Sequence, residues 1–171
     1  MCNYEKKMVY YLSLGSNLDD RKKNLSMALA SLESQNITIK KTSSIYETEP
    51  VDVQDQPYFY NIAIEIDCSY DPWKLLGILK QIEAQIGRVS TFSKGPRKID
   101  IDILLAEELV ITAPDLQIHH PGLAKRNFVL VPLNEIAPET IHPSLQAKIK
   151  TLADINRDTS SVSRIQGNLH E

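Results

Sequence analysis

The sequence has few of the residues that build disulfide frameworks and zinc clusters. Its 171 residues include two cysteines, Cys2 and Cys68, which do not form a CxxC motif. A fold stabilised by disulfide bonds or by structural zinc is therefore not indicated. The hydrophobic content of 42% and the charged content of 24% are instead typical of an ordinary globular domain. A chain of this length can bury a substantial core without cross-links.

Excess positive charge and long apolar runs are also lacking. The net charge of −3 argues against extended nucleic-acid binding, which usually needs clustered basic residues. No apolar run approaches the length of a membrane span, and residues 1–21 lack the apolar stretch of a signal peptide. We therefore expect a cytoplasmic protein without membrane or nucleic-acid partners. Because no interface pattern stands out, we expect a monomer.

Glycine is scarce as well, and its positions exclude the common phosphate-binding loops. The six glycines stand at positions 15, 77, 87, 95, 122 and 167. This spacing fits neither the Walker loop nor the GxGxxG pattern. If the chain binds a nucleotide, side chains and metal ions must therefore do what backbone amides do in those loops.

The pattern of apolar residues predicts an alternating order of strands and helices. The strands indicated by alternation or by β-branched and aromatic content are 8–14, 37–48, 59–68 and 97–105. Helical spacing predicts helices over 18–34 and 72–86, the second begun by Asp71 and Pro72 and ended by Gly87. The order strand, helix, strand, strand, helix, strand is the split βαβ pattern of a ferredoxin-like α+β sandwich. That fold has a mainly antiparallel sheet, with helices expected on one face.

The rest of the chain is expected to add smaller elements to a single domain over residues 8–157. A short strand near 109–111, a helical patch at 132–136 and a last helix over 144–155 are indicated. Residues 158–171 are polar, and we expect them to form a frayed C-terminal tail.

Two aspartates in the fourth predicted strand carry the strongest chemical signal. Strand side chains alternate between faces, so Asp100 and Asp102 share one face while the neighbouring isoleucines point the other way. Their α-carbons lie roughly 7 Å apart in a strand, so both carboxylates can reach one metal ion or a pair of ions. Hard oxygen ligands of this kind suit magnesium. The alternative is a solvated polar face on an edge strand, which a short motif alone does not exclude.

Basic residues surround this pair in the sequence, on or beside a polar loop at 88–96. They are Arg88, Lys94, Arg97 and Lys98. A transferring phosphoryl group spreads negative charge over its oxygens, so carboxylate-bound magnesium flanked by cations favours phosphoryl transfer. Each basic residue taken singly is an ordinary surface charge. Their convergence on the aspartates is what supports this hypothesis.

A second candidate cluster follows the HHP segment at 119–121. Here His120 and Arg126 suit the binding of phosphate oxygens, and Phe128 suits stacking on a flat ring. The alternative is a polar loop followed by a buried phenylalanine. HHP is a poor zinc site, because no cysteine or further histidine has ligand spacing.

A third candidate is the segment at residues 54–61. An aromatic residue and an amide, Phe59 and Asn61, are two positions apart and so share a strand face. This combination suits a flat heterocycle, and ordinary cross-strand packing is the alternative.

Four segments together resemble one enzyme family. They are LGSNL at 14–18, the segment 54–61, GPRKIDIDILL at 95–105 and HPGLAKRNFVLVPLNEIAP at 120–138. In this order they are similar to the 6-hydroxymethyl-7,8-dihydropterin pyrophosphokinases of folate biosynthesis, for which GPRxxDxD is highly specific. The resemblance runs from about Val9 to Glu139. It implies a ferredoxin-like fold and transfer of diphosphate from ATP to the hydroxymethyl group of the pterin, with AMP released and magnesium required.

The resemblance also implies roles for individual residues. Asp100 and Asp102 would bind two magnesium ions. The residues implied on the ATP side are Arg88, Arg97, Glu83, His120 and Arg126. The residues implied on the pterin side are Thr48, Pro50, Val51, Phe59, Asn61 and Phe128. The two phenylalanines would lie on either side of the ring, and Asn61 would bind its hydrogen-bonding edge.

The polar loop departs from the family pattern at two positions. Ser90 stands where many members carry another arginine, and Lys94 stands where bacterial members often have tryptophan. Lys94 supplies a charge but no stacking surface. We therefore expect this loop to close less tightly over the reactants than in those relatives.

Three other functions remain alternatives at this point. The first is a non-catalytic ferredoxin-like module that senses a nucleotide or metal. The second is an RNA-binding sheet, and the third is a metal-dependent phosphohydrolase. The net charge and the lack of an RNP-type aromatic pattern argue against RNA. Formation of AMP that depends jointly on ATP, magnesium and the pterin would separate the pyrophosphokinase from all three.

Overall fold

The chain folds into one central sheet with helices on both sides. The computed structural model describes residues 5–89 and 92–169. Its strands are β1 (Met8–Ser16), β2 (Thr38–Thr42), β3 (Tyr46–Thr48), β4 (Phe59–Cys68), β5 (Asp100–Ala106), β6 (Ile111–Thr112), β7 (Gln117–Ile118) and β8 (Val162–Arg164). Its helices are α1 (Arg21–Ser34), α2 (Pro72–Ile86), α3 (Asn127–Ile136) and α4 (Ile149–Ile155).

The central sheet is antiparallel, as predicted. Its strand order is β5-β1-β4-β3-β8, and β2 also pairs with β4, so β2 and β3 follow each other along one side of that strand. In the register of the sheet, Gly15 of β1 lies between Asp100 of β5 and Asn61 of β4. This register brings the candidate residues of three strands together on one face.

The prediction of a single strand over 37–48 is wrong, because the strand is interrupted in its middle. The structure has two strands there, because Ser43 interrupts regular pairing with β4. The hydroxyl of Ser43 accepts the N–H of Ala63 at 2.9 Å, while its own N–H donates to the Ala63 carbonyl at 2.9 Å. A side-chain hydroxyl that replaces a backbone acceptor changes the local path of the chain.

The two helices predicted first pack on one face of the sheet, as expected. Leu25 of α1 and Leu75 of α2 are fully buried there against Leu12 and Ile64 of the sheet. The other face is not open, however, because α3 and α4 cover it with a second core that includes Leu130. Helices therefore lie on both faces, and the expectation of one face holds only for α1 and α2.

Capping residues define the ends of the first two helices. Asp20 accepts the N–H of Lys23, so α1 begins three residues later than the predicted Leu18. Asp71 caps α2 through Trp73 and Lys74, and Gly87 ends it in the left-handed region at φ 101°. These two ends of α2 are as predicted.

The later helices differ more from prediction. The helical patch at 132–136 is the second half of α3, which begins at Asn127 and contains Pro132. The last helix begins at Ile149 and not at Ser144, because Gln146 has a positive φ of 53° that an α-helix does not allow. The strand predicted near 109–111 is the short β6, which pairs with β7.

The frayed tail predicted for residues 158–171 is wrong for the described part of that segment. Strand β8 pairs with β3, and the N–H of Ile165 donates to the carbonyl of Ile45 at 2.9 Å. Near its end, the carbonyl of Leu169 accepts a hydrogen bond from Ser26 at 3.0 Å. Polar composition suggested fraying, but backbone hydrogen bonds to a sheet edge do not require apolar side chains.

Among the helices of the described residues, none is both long enough and apolar enough to cross a membrane.

Candidate active site

The two aspartates of β5 lie on the sheet face covered by α3 and α4. Asp102 stands opposite Ser13 of β1, and Asp100 stands opposite Gly15. The intervening Ile101 is buried in the core on the other face. The alternation predicted for this strand is therefore confirmed, and it separates the carboxylates from the α1 and α2 core.

Asp100 is held by two arginines. Arg88 Nη1 donates to its Oδ1 at 2.6 Å, and Arg97 Nε donates to its Oδ2 at 3.1 Å. The distances are those of charge-assisted hydrogen bonds. The predicted convergence of basic side chains on the aspartates is thus a direct contact for these two arginines.

Asp102 occupies a more enclosed position. Burial, with the charge of Asp100 as the next contribution, raises the pKa of Asp102 to about 7, although Lys80 and Arg97 oppose this. Two neighbouring carboxylates in such a place need a nearby cation for both to be ionised.

The donor set fits magnesium that is shared with a polyphosphate. Among residues 5–89 and 92–169 no group of three or more histidine, cysteine, aspartate or glutamate side chains could hold a metal ion. The Asp100 and Asp102 pair therefore supplies two oxygen ligand groups and not a complete protein cage. Magnesium is commonly bound by one or two carboxylates together with water and substrate phosphates.

Glu83 of α2 closes the outer edge of β5 beside the aspartates. Its side chain is only 3% exposed, and Oε1 accepts the N–H of Ile101 at 2.8 Å and lies 2.9 Å from Arg88 Nη1. Oε2 lies 3.3 Å from Lys80 Nζ. A carboxylate in this position both satisfies the strand edge and holds the arginine that contacts Asp100.

A pocket of ≈ 510 Å³, here called the central pocket, opens above β5, β1 and β4. It contains all six residues predicted for the pterin side: Thr48, Pro50, Val51, Phe59, Asn61 and Phe128. Arg97, Asp100 and Asp102 also line it. The Arg97 guanidinium lies 4.9 Å from the centre of the Phe59 ring, so the cationic part of the site adjoins its aromatic part.

The floor of the central pocket depends on a glycine. A Cβ atom on Gly15 would lie 2.5 Å from Oδ1 of Asn61, which is too close for any side chain. Asn61 is 4% exposed, and its Nδ2 donates to Thr48 Oγ1 at 2.6 Å. The missing side chain of Gly15 therefore leaves room for the Asn61 amide.

A second pocket of ≈ 700 Å³, here called the edge pocket, lies along the outer side of β5. Asp102 lines both this pocket and the central pocket. Other lining residues of the edge pocket are Lys80, Gln117 and His120. One carboxylate of the pair therefore adjoins two separate binding spaces.

His120 lines the edge pocket, where burial favours its neutral form. Its Nδ1 accepts the N–H of Gly122 at 3.0 Å, and burial lowers its pKa. Because Nδ1 is an acceptor, the proton of the neutral ring is assigned to Nε2, which can donate to a ligand oxygen.

Two loops meet at the mouth of the central pocket through Asp52. Its carboxylate lies 3.2 Å from Lys94 Nζ and 3.3 Å from Arg126 Nη2. Gln56 also donates to the Lys94 carbonyl at 3.1 Å. Lys94 thus ties the loop after β3 to the loop after α2. Ser90, the other departure from the family pattern, lies outside the described residues.

The comparisons with known proteins identify the family. Residues 11–138 match the family model described as 7,8-dihydro-6-hydroxymethylpterin-pyrophosphokinase (HPPK). The chain belongs to this family. A relative from Bacillus subtilis, named 2-amino-4-hydroxy-6-hydroxymethyldihydropteridine pyrophosphokinase, is 43% identical over 132 residues, which cover 77% of this chain and 79% of the relative.

Some HPPK relatives are longer proteins. The folic acid synthesis protein of Dictyostelium discoideum is 45% identical over 137 residues, which are 80% of this chain but only 21% of that protein. The solved structure of wild-type HPPK-DHPS from Plasmodium falciparum matches this fold with a TM-score of 0.69 and 18% identity. The match covers 87% of this chain and 44% of the solved chain. The structural likeness supports the α+β fold, and this chain spans about a fifth to a half of these two proteins.

Eleven of the thirteen residues predicted for the HPPK site line at least one of three pockets. Nine line the central pocket, namely the six predicted for the pterin together with Arg97, Asp100 and Asp102. His120 lines the edge pocket, and Arg88 lines a smaller basic pocket of ≈ 530 Å³ beside Lys94. Arg126 contacts Asp52 at the mouth. Glu83 lines none of these three pockets and contacts Arg88 and the backbone of β5.

Asn17 is a site residue whose function the sequence reasoning missed. Its Nδ2 donates to Gln56 Oε1 at 2.9 Å and to the Pro57 carbonyl at 3.0 Å, while its Oδ1 accepts the N–H of Arg97 at 2.8 Å. One buried amide therefore holds the two sides of the pocket mouth. Its place in the LGSNL motif of the HPPK family was the available signal, but the motif alone did not reveal these distant partners.

Proposed function

We propose that this chain is a pyrophosphokinase of folate biosynthesis. It transfers the diphosphate of ATP to the hydroxymethyl group of 6-hydroxymethyl-7,8-dihydropterin and releases AMP. The observation that carries the proposal is that Asp102 lines both the central pocket and the edge pocket. A carboxylate shared by two binding spaces suits a reaction in which a group passes from a ligand in one to a ligand in the other.

The central pocket takes the pterin. Phe59 and Phe128 provide aromatic surface for its flat ring, and Pro50 and Val51 add apolar wall. The buried Asn61 amide supplies hydrogen bonds of the kind that the pterin edge requires. These contacts support a flat, polar-edged heterocycle as the ligand of this pocket.

ATP occupies the edge pocket and directs its phosphates toward the aspartates. His120 donates from Nε2 to a phosphate oxygen, and Arg126 contributes from the mouth of the site. Arg88 and Arg97, which contact Asp100 at 2.6 and 3.1 Å, bind the phosphates nearest the reaction. Glu83 helps the ATP side indirectly, because it holds Arg88.

Asp100 and Asp102 hold two magnesium ions together with the phosphates. When bound, the ions supply positive charge that neutralises the polyphosphate and fixes its orientation. The two carboxylates share a strand face. The pKa of Asp102 is raised to about 7, because negative charge without a compensating cation is unfavourable at this position.

The reaction is an in-line displacement at the β-phosphorus of ATP. The hydroxymethyl oxygen forms a bond to this atom and releases its proton to water. The bond between the β-phosphorus and the α,β-bridging oxygen breaks, and AMP departs with that oxygen. Arg88 and Arg97 stabilise the charge that develops on the transferring group. Positioning of the two substrates and this electrostatic stabilisation provide most of the rate enhancement.

The enzyme acts as a monomer in the cytoplasm and needs no nucleic acid or membrane. Residues 8–157 form one catalytic domain, and the segment after them adds β8 to its sheet.

One assay tests the proposal. AMP is measured with ATP, magnesium and the dihydropterin, each omitted in turn, and all three are expected to be required. Asp102→Ala should abolish at least 99% of turnover while circular dichroism stays unchanged, about 10²-fold being typical for loss of an electrostatic contact in the transition state. Glu108→Ala, which removes an exposed acid beyond β5, is the matched control and should retain activity.

Each contrary outcome has a defined meaning. AMP or ADP formation without the pterin would point to a phosphohydrolase. Binding of both ligands without AMP formation would point to a non-catalytic module. Full magnesium-dependent activity in Asp102→Ala would remove the basis for the proposed centre.

A further inference from the structure

The C-terminal segment 156–165 lies beyond the part of the chain that matches the family model, residues 11–138. It nevertheless contacts two walls of the central pocket. One wall is the end of β3, and the other is the start of α3. A segment that joins two walls can set the distance between them, which is the property that matters for a flat ligand held between aromatic rings.

The contact with the first wall is a pair of strands and a reciprocal hydrogen bond. Val162 of β8 stands opposite Thr48 of β3. Just beyond it, the N–H of Glu49 donates to the Ser161 carbonyl at 3.1 Å, and the N–H of Ser161 donates to Glu49 Oε1 at 2.7 Å. Thr48 and Glu49 both line the central pocket.

The contact with the second wall replaces a missing helix cap. Arg126, the N-cap residue of α3, makes no side-chain capping bond. Asp158 supplies this bond from the tail, since its Oδ2 accepts the N–H of Asn127 at 2.9 Å. The side chain of Asn127 in turn donates to the Asp158 carbonyl at 2.5 Å and accepts from Asn156 at 2.7 Å.

Asp158 also directs the tail from one wall to the other. Its Oδ1 accepts the N–H of Ser160 at 2.9 Å and the Ser160 hydroxyl as well. This turn places Ser161 beside Glu49. The residue that Asp158 caps, Asn127, stands between Arg126 and Phe128, both of which belong to the candidate site.

We infer that Asp158 is a positioning residue of the central pocket. It holds Phe128 of α3 at a fixed distance from Thr48 of β3. The inference rests on the proposed function, because it takes the pterin as the ligand of that pocket. Loss of the Asp158 cap loosens one wall against the other and weakens pterin binding more than it weakens the chemical step.

Steady-state kinetics of three variants test this role. Asp158→Ala is expected to raise the KM for the dihydropterin about five- to tenfold, the factor that corresponds to loss of one helix cap. Asp158→Asn should recover most of the affinity, because its amide oxygen can still accept the N–H of Asn127. Asp154→Ala, which removes an exposed carboxylate four residues earlier, should leave the KM unchanged.

A merely structural role predicts a different pattern. Partial unfolding would lower the amount of active enzyme and therefore kcat, with the pterin KM as in the wild type; that result overturns the inference. If Asp158→Ala does not fold, Asp158→Asn and Ser160→Ala carry the test. A pterin KM raised about twofold or more in Ser160→Ala supports the positioning role, and unchanged KM values in both variants overturn it.

The wild-type enzyme separates this inference from the proposed function. Failure of the wild type to form AMP from ATP and the pterin counts against the proposed function. A fully active wild type whose Asp158→Ala variant keeps the same pterin KM counts against the positioning role alone.

Discussion

Gly15 of β1 and Asn61 of β4 face each other across the sheet so closely that a Cβ atom on Gly15 would lie 2.5 Å from Asn61 Oδ1. Asn61 cannot simply turn away, because it is 4% exposed and hydrogen-bonded to Thr48. The conformation of the amide that we propose binds the pterin therefore depends on a residue that contributes no side chain. This dependence can be tested without changing any polar group.

Gly15→Ala is expected to displace Asn61 and to raise the KM for the pterin at least about tenfold. The same overpacking should lower the free energy of unfolding by about 1–3 kcal/mol. The pterin KM and a urea unfolding curve measure the two effects. Gly77→Ala is the matched control, since a Cβ there meets nothing within 4 Å.

The control variant is itself expected to change stability. Gly77 is exposed in the interior of α2, where alanine is favoured over glycine by about 0.5–1 kcal/mol. The variant should therefore be slightly more stable than the wild type, with unchanged kinetics. Equal pterin KM values for Gly15→Ala and Gly77→Ala would rule out the proposed role of the close approach.

Arg97→Ala is expected to reduce kcat by about 10²- to 10³-fold, the usual cost of removing a donor that stabilises transition-state charge. The pterin KM should rise less, although Arg97 also lies 4.9 Å from the Phe59 ring. Single-turnover kinetics separate the chemical step from binding. Lys98→Ala removes the neighbouring cation, which pairs with Asp19 at 3.1 Å, and should retain turnover. An unchanged turnover number in Arg97→Ala would contradict its assignment.

Lys94→Ala is expected to loosen the mouth of the central pocket by removing the ion pair with Asp52. Because Lys94 is 60% exposed in its side chain, the pair contributes little to stability, and the melting temperature should stay nearly constant. The pterin KM should rise about two- to fivefold, and the difference from the wild type should shrink at high salt, where the ion pair is screened. A KM difference that is independent of salt would indicate another cause.

The stability of the fold should fall in mild acid, partly because of His142. This residue is buried, and burial together with the nearby His119 lowers its pKa. In the unfolded chain its pKa returns to about 6.5, so the unfolded state binds more protons below that pH. The contribution is therefore fully present above about pH 6.5 and is lost as the pH falls from there toward the lower pKa of the folded state.

His142→Asn isolates this effect. His142 Nδ1 accepts the N–H groups of Ser144 at 3.3 Å and Leu145 at 3.1 Å, and an asparagine oxygen can accept from the same positions in the chain. Urea unfolding at pH 5, 6 and 7 should show a smaller loss of stability in the variant than in the wild type. The same pH dependence in both proteins would show that His142 does not contribute.

The features predicted well from sequence depend on short-range regularities. The shared face of Asp100 and Asp102 follows from the two-residue period of a strand, and the ends of α2 follow from Asp71 and Gly87. Nine of the predicted site residues line the central pocket, and they had been named together from the family resemblance. Their individual roles in binding and catalysis remain predictions.

The features that were missed depend on contacts between distant residues. The break at Ser43 results from a hydrogen bond to Ala63, and the ordered tail results from the pairing of Val162 with Thr48. The ion pair of Asp52 with Lys94 and the position of Glu83 on the edge of β5 are likewise tertiary contacts. Local propensity carries no information about such partners, so these contacts could not be predicted from the sequence.

Alternate positions of strand β5 have different surroundings: Ile101 and Ile103 belong to the apolar interior, and Asp100 and Asp102 line the central pocket. Within these four neighbouring residues, random substitutions should damage folding at one position and chemistry at the next. Selection then acts differently on alternate positions of the strand, for stability of the fold at the isoleucines and for activity at the aspartates. The reaction could diverge along this strand while the interior beneath it stayed the same.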